Sequence, residues 1–240
     1  MKINTEIVKN KKFEAAIKPC LLKHSQEYRV LATLRYLYPT KFDKMVTGEA
    51  PDLQDCENGI GIEVTAAVSE NDMRASRAFS ELYQGETKGI EKRQKAIESS
   101  GYTFVPLMDN KVVIATSGTA DGEKHFFQES IRRKTKKLEQ YHANLEEIGL
   151  AIILPEIPTS CAETNFSEWL SDLLRESDNL FDFIFVISHR FCIYCDIQGN
   201  VTEKRTLTSD EDRWLVTIGR MTAEGELLSL IHISEPTRPY

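Results

Sequence analysis

The chain is short of several things, and each shortage excludes something. It has five cysteines in 240 residues, at positions 20, 56, 161, 192 and 195. An odd, scattered set does not make a disulfide framework, and a reducing, cytoplasmic setting is the default expectation. No apolar run approaches the roughly 20 residues that a bilayer span needs. Lysines in residues 1–12 are followed by no apolar stretch, so the start does not read as a secretory signal. A surplus of positive charge is also missing: 30 Lys and Arg stand against 37 Asp and Glu, a net charge of −7. That argues against a protein that coats nucleic acid indiscriminately, leaves room for a local basic patch, and suits a site that holds divalent cations. The five histidines have no ligand spacing, and there is no internal repeat, heptad array or low-complexity segment.

What is present is an ordinary globular mixture, 41% hydrophobic and 28% charged, enough for one cored domain. Residues 1–23 read as a lysine-rich, weakly patterned extension, and residues 24–227 as the domain. Residues 228–240 are set apart. Their run from 228 to 238 (LSLIHISEPTR) back-translates without a break into the mosaic-end and read-primer adapter of sequencing libraries. We read this tail as translated adapter, with the native C-terminus truncated; the alternative is an ordinary short tail that ends in a Pro-containing loop.

Along the domain, Val30, Leu31, Leu34 and Leu37 predict a helix over 26–38, stopped by Pro39. Residues 45–54 read as short and extended. Asp55 to Gly59 is turn chemistry, and the strand over 60–68 that follows alternates Ile62 and Val64 with Glu63 and Thr65. Helices are predicted over 69–83, capped by Ser69 or Asn71, and over 88–99. A hairpin is predicted from 102–107 and 111–116, then a loop over 118–122, a basic amphipathic helix over 126–142, a buried strand over 149–154, a helix over 166–175, and strands over 181–187 and 190–197. Strands alternating with helices, together with hairpins, predict an α/β domain with a central mixed sheet flanked by helices.

The chemistry concentrates in Pro51-Asp52 and, past the Asn58-Gly59 turn, Ile62-Glu63-Val64-Thr65. This pattern resembles the PD-(D/E)XK nuclease superfamily, over roughly residues 24–154. The resemblance implies a restriction-endonuclease-like fold and Mg²⁺-dependent (or Mn²⁺-dependent) hydrolysis of DNA phosphodiester bonds. It assigns Asp52 and Glu63 as catalytic metal ligands, with the Val64 carbonyl as a further ligand. Phosphodiester hydrolysis needs a hard cation to polarise phosphate and acidify water, and Mg²⁺ takes oxygen ligands.

The sequence departs from the pattern at Thr65, where the superfamily has a lysine that stabilises developing charge. Lys134 shares a helix face with Phe127, Ile131, Leu138 and Tyr141 and is the candidate replacement; the alternative is a lysine that snorkels to the helix edge. Glu27 shares a face with Leu31 and Leu34. It is either a third metal ligand, as the resemblance allows, or a glutamate placed by the helix dipole. Arg132, Arg133, Lys136 and Lys137 surround Lys134 as a basic run, read either as DNA phosphate contacts or as a solvated face. Cys192 and Cys195 are three apart on a strand, which puts them on opposite faces as core residues. DNA is the implied partner, no membrane is involved, and a homodimer is compatible with the sequence. The rival reading is a catalytically inactive nuclease-fold module that binds protein or nucleic acid. Lys134 separates the two: its amine meets Glu63 in the enzyme and solvent in the module.

Overall fold

A computed structural model describes residues 5–83, 89–106, 112–116, 120–141, 145–154, 162–176, 181–196 and 200–227. The suspected adapter tail lies outside these residues, as does Cys161. The central element is a seven-stranded mixed sheet. Its strands are β1 (Val46–Thr47), β2 (Leu53–Asp55), β3 (Ile60–Ala66), β6 (Glu147–Ile153), β7 (Phe183–Ile187), β8 (Phe191–Cys195) and β9 (Val201–Thr206), in that spatial order. β3, β6 and β7 run parallel, and the outer pairings are antiparallel. The predicted α/β class with a mixed sheet flanked by helices is therefore the observed one.

Two helical layers cover the sheet. On one face lie α2 (Pro19–Leu37) and α7 (Ser209–Ala223), packed on Ile62, Val64, Ala151, Phe183 and Phe185. On the other lie α5 (Ala120–Thr135) and α6 (Ala162–Glu176), packed on Leu150, Ile152, Ile184 and Val186. Strand alternation sends neighbouring residues of one strand to these two separate cores. The cysteine pair follows the same rule: Cys192 joins the first core and Cys195 the second, and burial pushes both thiols up, Cys195 to about 12. A short helix α1 (Thr5–Lys9) places Val8 in the first core, so part of the supposed extension belongs to the domain.

Between β3 and α5 the chain builds a satellite unit from α3 (Glu70–Tyr83), α4 (Ile90–Ser99) and a ribbon of β4 (Tyr102–Pro106) with β5 (Val112–Thr116). It has its own small core of Ala75, Ala78, Ile97 and Tyr102. Ser69 and Asp72 cap α3 reciprocally, each accepting the other's backbone N–H at 3.0 Å.

Several boundaries differ from the sequence reading. α2 begins at Pro19, not residue 26, because proline fits the first helical turn, where no amide partner is needed. α5 begins at Ala120 inside the expected loop and ends at Thr135; a 3-10 turn, Leu138–Gln140, carries the apolar stripe onward. β9 and α7 were not anticipated. α7 opens on a capping box in which Thr208 accepts from the Glu211 N–H and Glu211 accepts from the Thr208 N–H.

Candidate active site

The site lies where β2 stops short of its neighbour. β2 pairs antiparallel with β3, Leu53 opposite Ile62 and Asp55 opposite Ile60. Asp55 closes the turn between them, its Oδ1 accepting from the N–H groups of Glu57 and Asn58 at 3.2 and 3.0 Å, and Gly59 takes the left-handed φ of 67° that the turn requires. Continuing the strand register by one residue sets Asp52 opposite Glu63, and residues directly opposite project to the same face. By then β2 has ended, and the edge of β3 would be left without a partner. The Asp52 carboxylate replaces the missing strand: its Oδ2 accepts the Val64 N–H at 2.9 Å. Of Val64, then, it is the N–H that meets Asp52, while its side chain packs in the first core.

This open edge lets both helical layers reach one carboxylate. From α5, the Lys134 ammonium forms a buried ion pair with Glu63 Oε1 and lies 3.8 Å from Asp52 Oδ2. From α2, the Lys23 ammonium lies 2.9 Å from Asp52 Oδ1 and 3.0 Å from Glu27 Oε1. Each oxygen of Asp52 thus faces one ammonium. Asp52, Glu63 and Glu27 are 2%, 4% and 3% exposed, so the cluster is desolvated on its acidic side. The outer ion is Lys23, whose side chain is 64% exposed. His24 Nδ1 lies 2.9 Å from Glu27 Oε2, which accepts the hydrogen bond when that nitrogen carries the proton. The Tyr141 hydroxyl is buried beside Glu63 without a well-formed hydrogen bond; burial and the Glu63 charge both raise its pKa.

Electrostatics couples these groups. Burial opposes ionisation of Asp52, but hydrogen bonds from Lys23 and the Val64 N–H, with the charge of Lys134, outweigh it and hold the carboxyl below its ordinary range. Burial likewise works against the Lys23 charge, and the hydrogen bonds and charges of Asp52 and Glu27 reverse that effect and raise its pKa.

Of the residues singled out from sequence, the structure brings together Asp52, Glu63, Lys134 and Glu27. Lys134 does not snorkel to solvent. Glu27 stands two turns inside α2, beyond the reach of the helix dipole, so the dipole account does not explain its place. The basic run divides. Arg133 is exposed and points one guanidinium nitrogen at Thr65 Oγ1, 3.4 Å away, on the side where the superfamily pattern has its lysine. Arg132 is half-buried, and Lys136 and Lys137 are exposed past the end of α5. Sequence reasoning missed Lys23 and His24. Their signal was the i, i+4 and i, i+3 spacing to Glu27, which places all three on one helix face.

The donor set fits a hard divalent cation in part. Two carboxylates already converge on one cationic atom, the Lys23 ammonium, whose stem is exposed. Among the described residues no three His, Cys, Asp or Glu side chains are grouped as a metal shell. Protein carboxylates would therefore supply one or two ligands at any one point, which is how Mg²⁺ is commonly held, with water and phosphate oxygens completing the octahedron. No protein-family model, curated protein or solved structure matches the chain. Among the described residues, no helix is long and apolar enough to cross a membrane.

Proposed function

We propose that the chain is a nuclease-like enzyme of the restriction-endonuclease type that hydrolyses DNA phosphodiester bonds with Mg²⁺ or Mn²⁺. The observation that carries the reading is the contact of Lys134 with Glu63 and Asp52, a cation and two carboxylates drawn from α5, β3 and the end of β2 into one buried cluster. In this reading Asp52 would be the common metal ligand, joined by Glu27 or Glu63 and by the Val64 carbonyl, with no more than two carboxylates at any one point. The metal supplies polarisation of the phosphate and a water acidic enough to ionise near neutral pH. Lys134 stands in for the lysine absent at position 65, holding Glu63 in place and opposing the negative charge that builds on the phosphate. Arg133, at Thr65, and Lys136 and Lys137 beyond it meet the flanking backbone phosphates. Lys23 would give up its place between Asp52 and Glu27 to a cation held there.

One observation favours a second reading. Lys23 and Lys134 already offset two of the three negative charges of Asp52, Glu63 and Glu27, so most of the cluster's charge is paired without a metal. A non-catalytic module would be expected to leave Lys134 in solvent, unless it kept the cluster for stability alone, and that variant of the module shares this geometry. Incubation of plasmid and single-stranded DNA with the protein over a Mg²⁺ and Mn²⁺ series decides: metal-dependent cleavage, abolished by chelation, is the expected result, and intact DNA under all conditions supports the module.

A further inference from the structure

The satellite unit carries a feature that the acidic cluster does not use. One stripe of α3 (Arg74, Arg77, Ala78, Glu81) faces one stripe of α4 (Gly89, Lys92, Arg93, Ala96) across a groove of about 510 Å³. Both stripes follow i, i+3, i+4, i+7 spacing, the rows by which packed helices close a seam. On the groove side of the seam, the apolar core of Ala75, Ala78 and Ile97 gives way to charged side chains. Ala78 and Ala96 are too short to fill it, and the other side chains on its walls are four cations and one carboxylate. That carboxylate, Glu81, is taken by two of the cations, accepting from Arg77 Nε at 3.0 Å and Arg93 Nε at 2.6 Å. These bonds, that from Arg93 first, hold Glu81 ionised below its ordinary range. Glu81 thus fixes two guanidinium planes along the groove and leaves a strong positive excess. Arg74 and Lys92 are exposed on opposite walls, and Lys95 continues the α4 row one turn on.

We infer that the α3–α4 groove is a second nucleic-acid contact, which seats the sugar-phosphate backbone away from the acidic cluster. A chain of net charge −7 repels a polyanion in general, so a groove with four cations to one anion is where one would be admitted. Planar guanidiniums held in place suit the paired oxygens of a phosphodiester. Naming nucleic acid as the polyanion rests on the proposed function. α3 follows β3, the strand that carries Glu63, along the chain.

The test is duplex and single-stranded oligonucleotide binding in metal-free buffer containing chelator, read by fluorescence anisotropy over a salt series. Arg74→Ala with Lys92→Ala removes two exposed cations and leaves the Glu81 pairs intact. It should weaken binding on the order of tenfold and lower the slope of log K against log salt by about 2. Arg74→Lys with Lys92→Arg should bind as the parent does, and Arg175→Ala with Arg205→Ala should leave the slope nearly unchanged. Unaltered affinity and slope in the alanine pair overturns the inference. So does saturation by inorganic phosphate or a polyglutamate peptide without any oligonucleotide binding. The outcome is separable from that of the proposed function: groove-dependent binding without cleavage sinks only the nuclease reading, and cleavage with groove-independent binding sinks only the groove.

Discussion

Seventy-one residues separate Glu63 from Lys134 along the chain, yet the two form a buried ion pair between β3 and α5. Breaking one side of such a pair strands a charge in a low-dielectric setting. Lys134→Met should therefore cost about 3–5 kcal/mol of unfolding free energy. Adding Glu63→Gln should recover most of that loss, because the stranded charge is gone. Urea denaturation of the two single variants and the double variant measures the coupling.

The pH dependence of stability follows from Asp52. Its pKa in the folded chain is below the unfolded value of about 4, so its contribution is fully present at neutral pH. That contribution is lost as pH falls through the ordinary carboxylate range toward the depressed folded value. Asp52→Asn should flatten the acid limb of a melting-temperature profile below about pH 5 and lower the neutral plateau. A variant whose acid limb tracks the parent's would show that Asp52 is not held ionised by Lys23 and the Val64 N–H.

Lys23 sits between Asp52 and Glu27, the seat that the proposed function gives to a divalent cation. Its removal should leave those carboxylates underneutralised and eager for a cation. Lys23→Ala is expected to melt lower than the parent without metal and to gain more in melting temperature on addition of Mg²⁺ or Mn²⁺. Equal metal-induced shifts in the two proteins would place the cation elsewhere.

The stretch of α2 that bears Glu27 is set by close approach to α7. A Cβ on Gly219 would lie 2.6 Å from the Ser25 carbonyl oxygen and 2.8 Å from the Arg29 nitrogen, both backbone atoms that cannot move aside alone. Arg29 also pairs with Asp212 at 2.8 Å across the same interface. Gly219→Ala should push the helices apart and destabilise the chain by about 1–3 kcal/mol. It should also blunt the metal-induced shift, since Lys23 and Glu27 ride on the displaced turn.

Much of this site was legible in the sequence, for identifiable reasons. Asp52 and Glu63 flank a turn with a strong local signature, and strand alternation fixes the face of Glu63. Lys134 betrayed itself as a charge inside an apolar stripe. Lys23 and His24 are hidden because the buried apolar stripe of α2 begins only after them, while the helix itself starts at Pro19. β9 was hidden by its chemistry: as an exposed edge strand of charged residues it has little apolar alternation to read. α7 did carry a signal, Thr208 and Glu211 at capping-box spacing ahead of Trp214, Leu215, Ile218 and Met221. The basic groove had none, since its cations come from two helices and become neighbours only when α3 meets α4, whereas the dense run on α5 was conspicuous and divides in the fold between core and surface.

The central claim, that Asp52, Glu63 and Lys134 act together on a phosphodiester, is tested most directly by cleavage of supercoiled plasmid in Mg²⁺ or Mn²⁺. The parent chain is compared with Asp52→Asn, Lys134→Ala and Lys136→Ala, each first shown by circular dichroism to be folded at the assay temperature. The account predicts metal-dependent cleavage by the parent and by Lys136→Ala, and none by Asp52→Asn or Lys134→Ala. Cleavage at the parent's rate by folded Asp52→Asn or Lys134→Ala would contradict it.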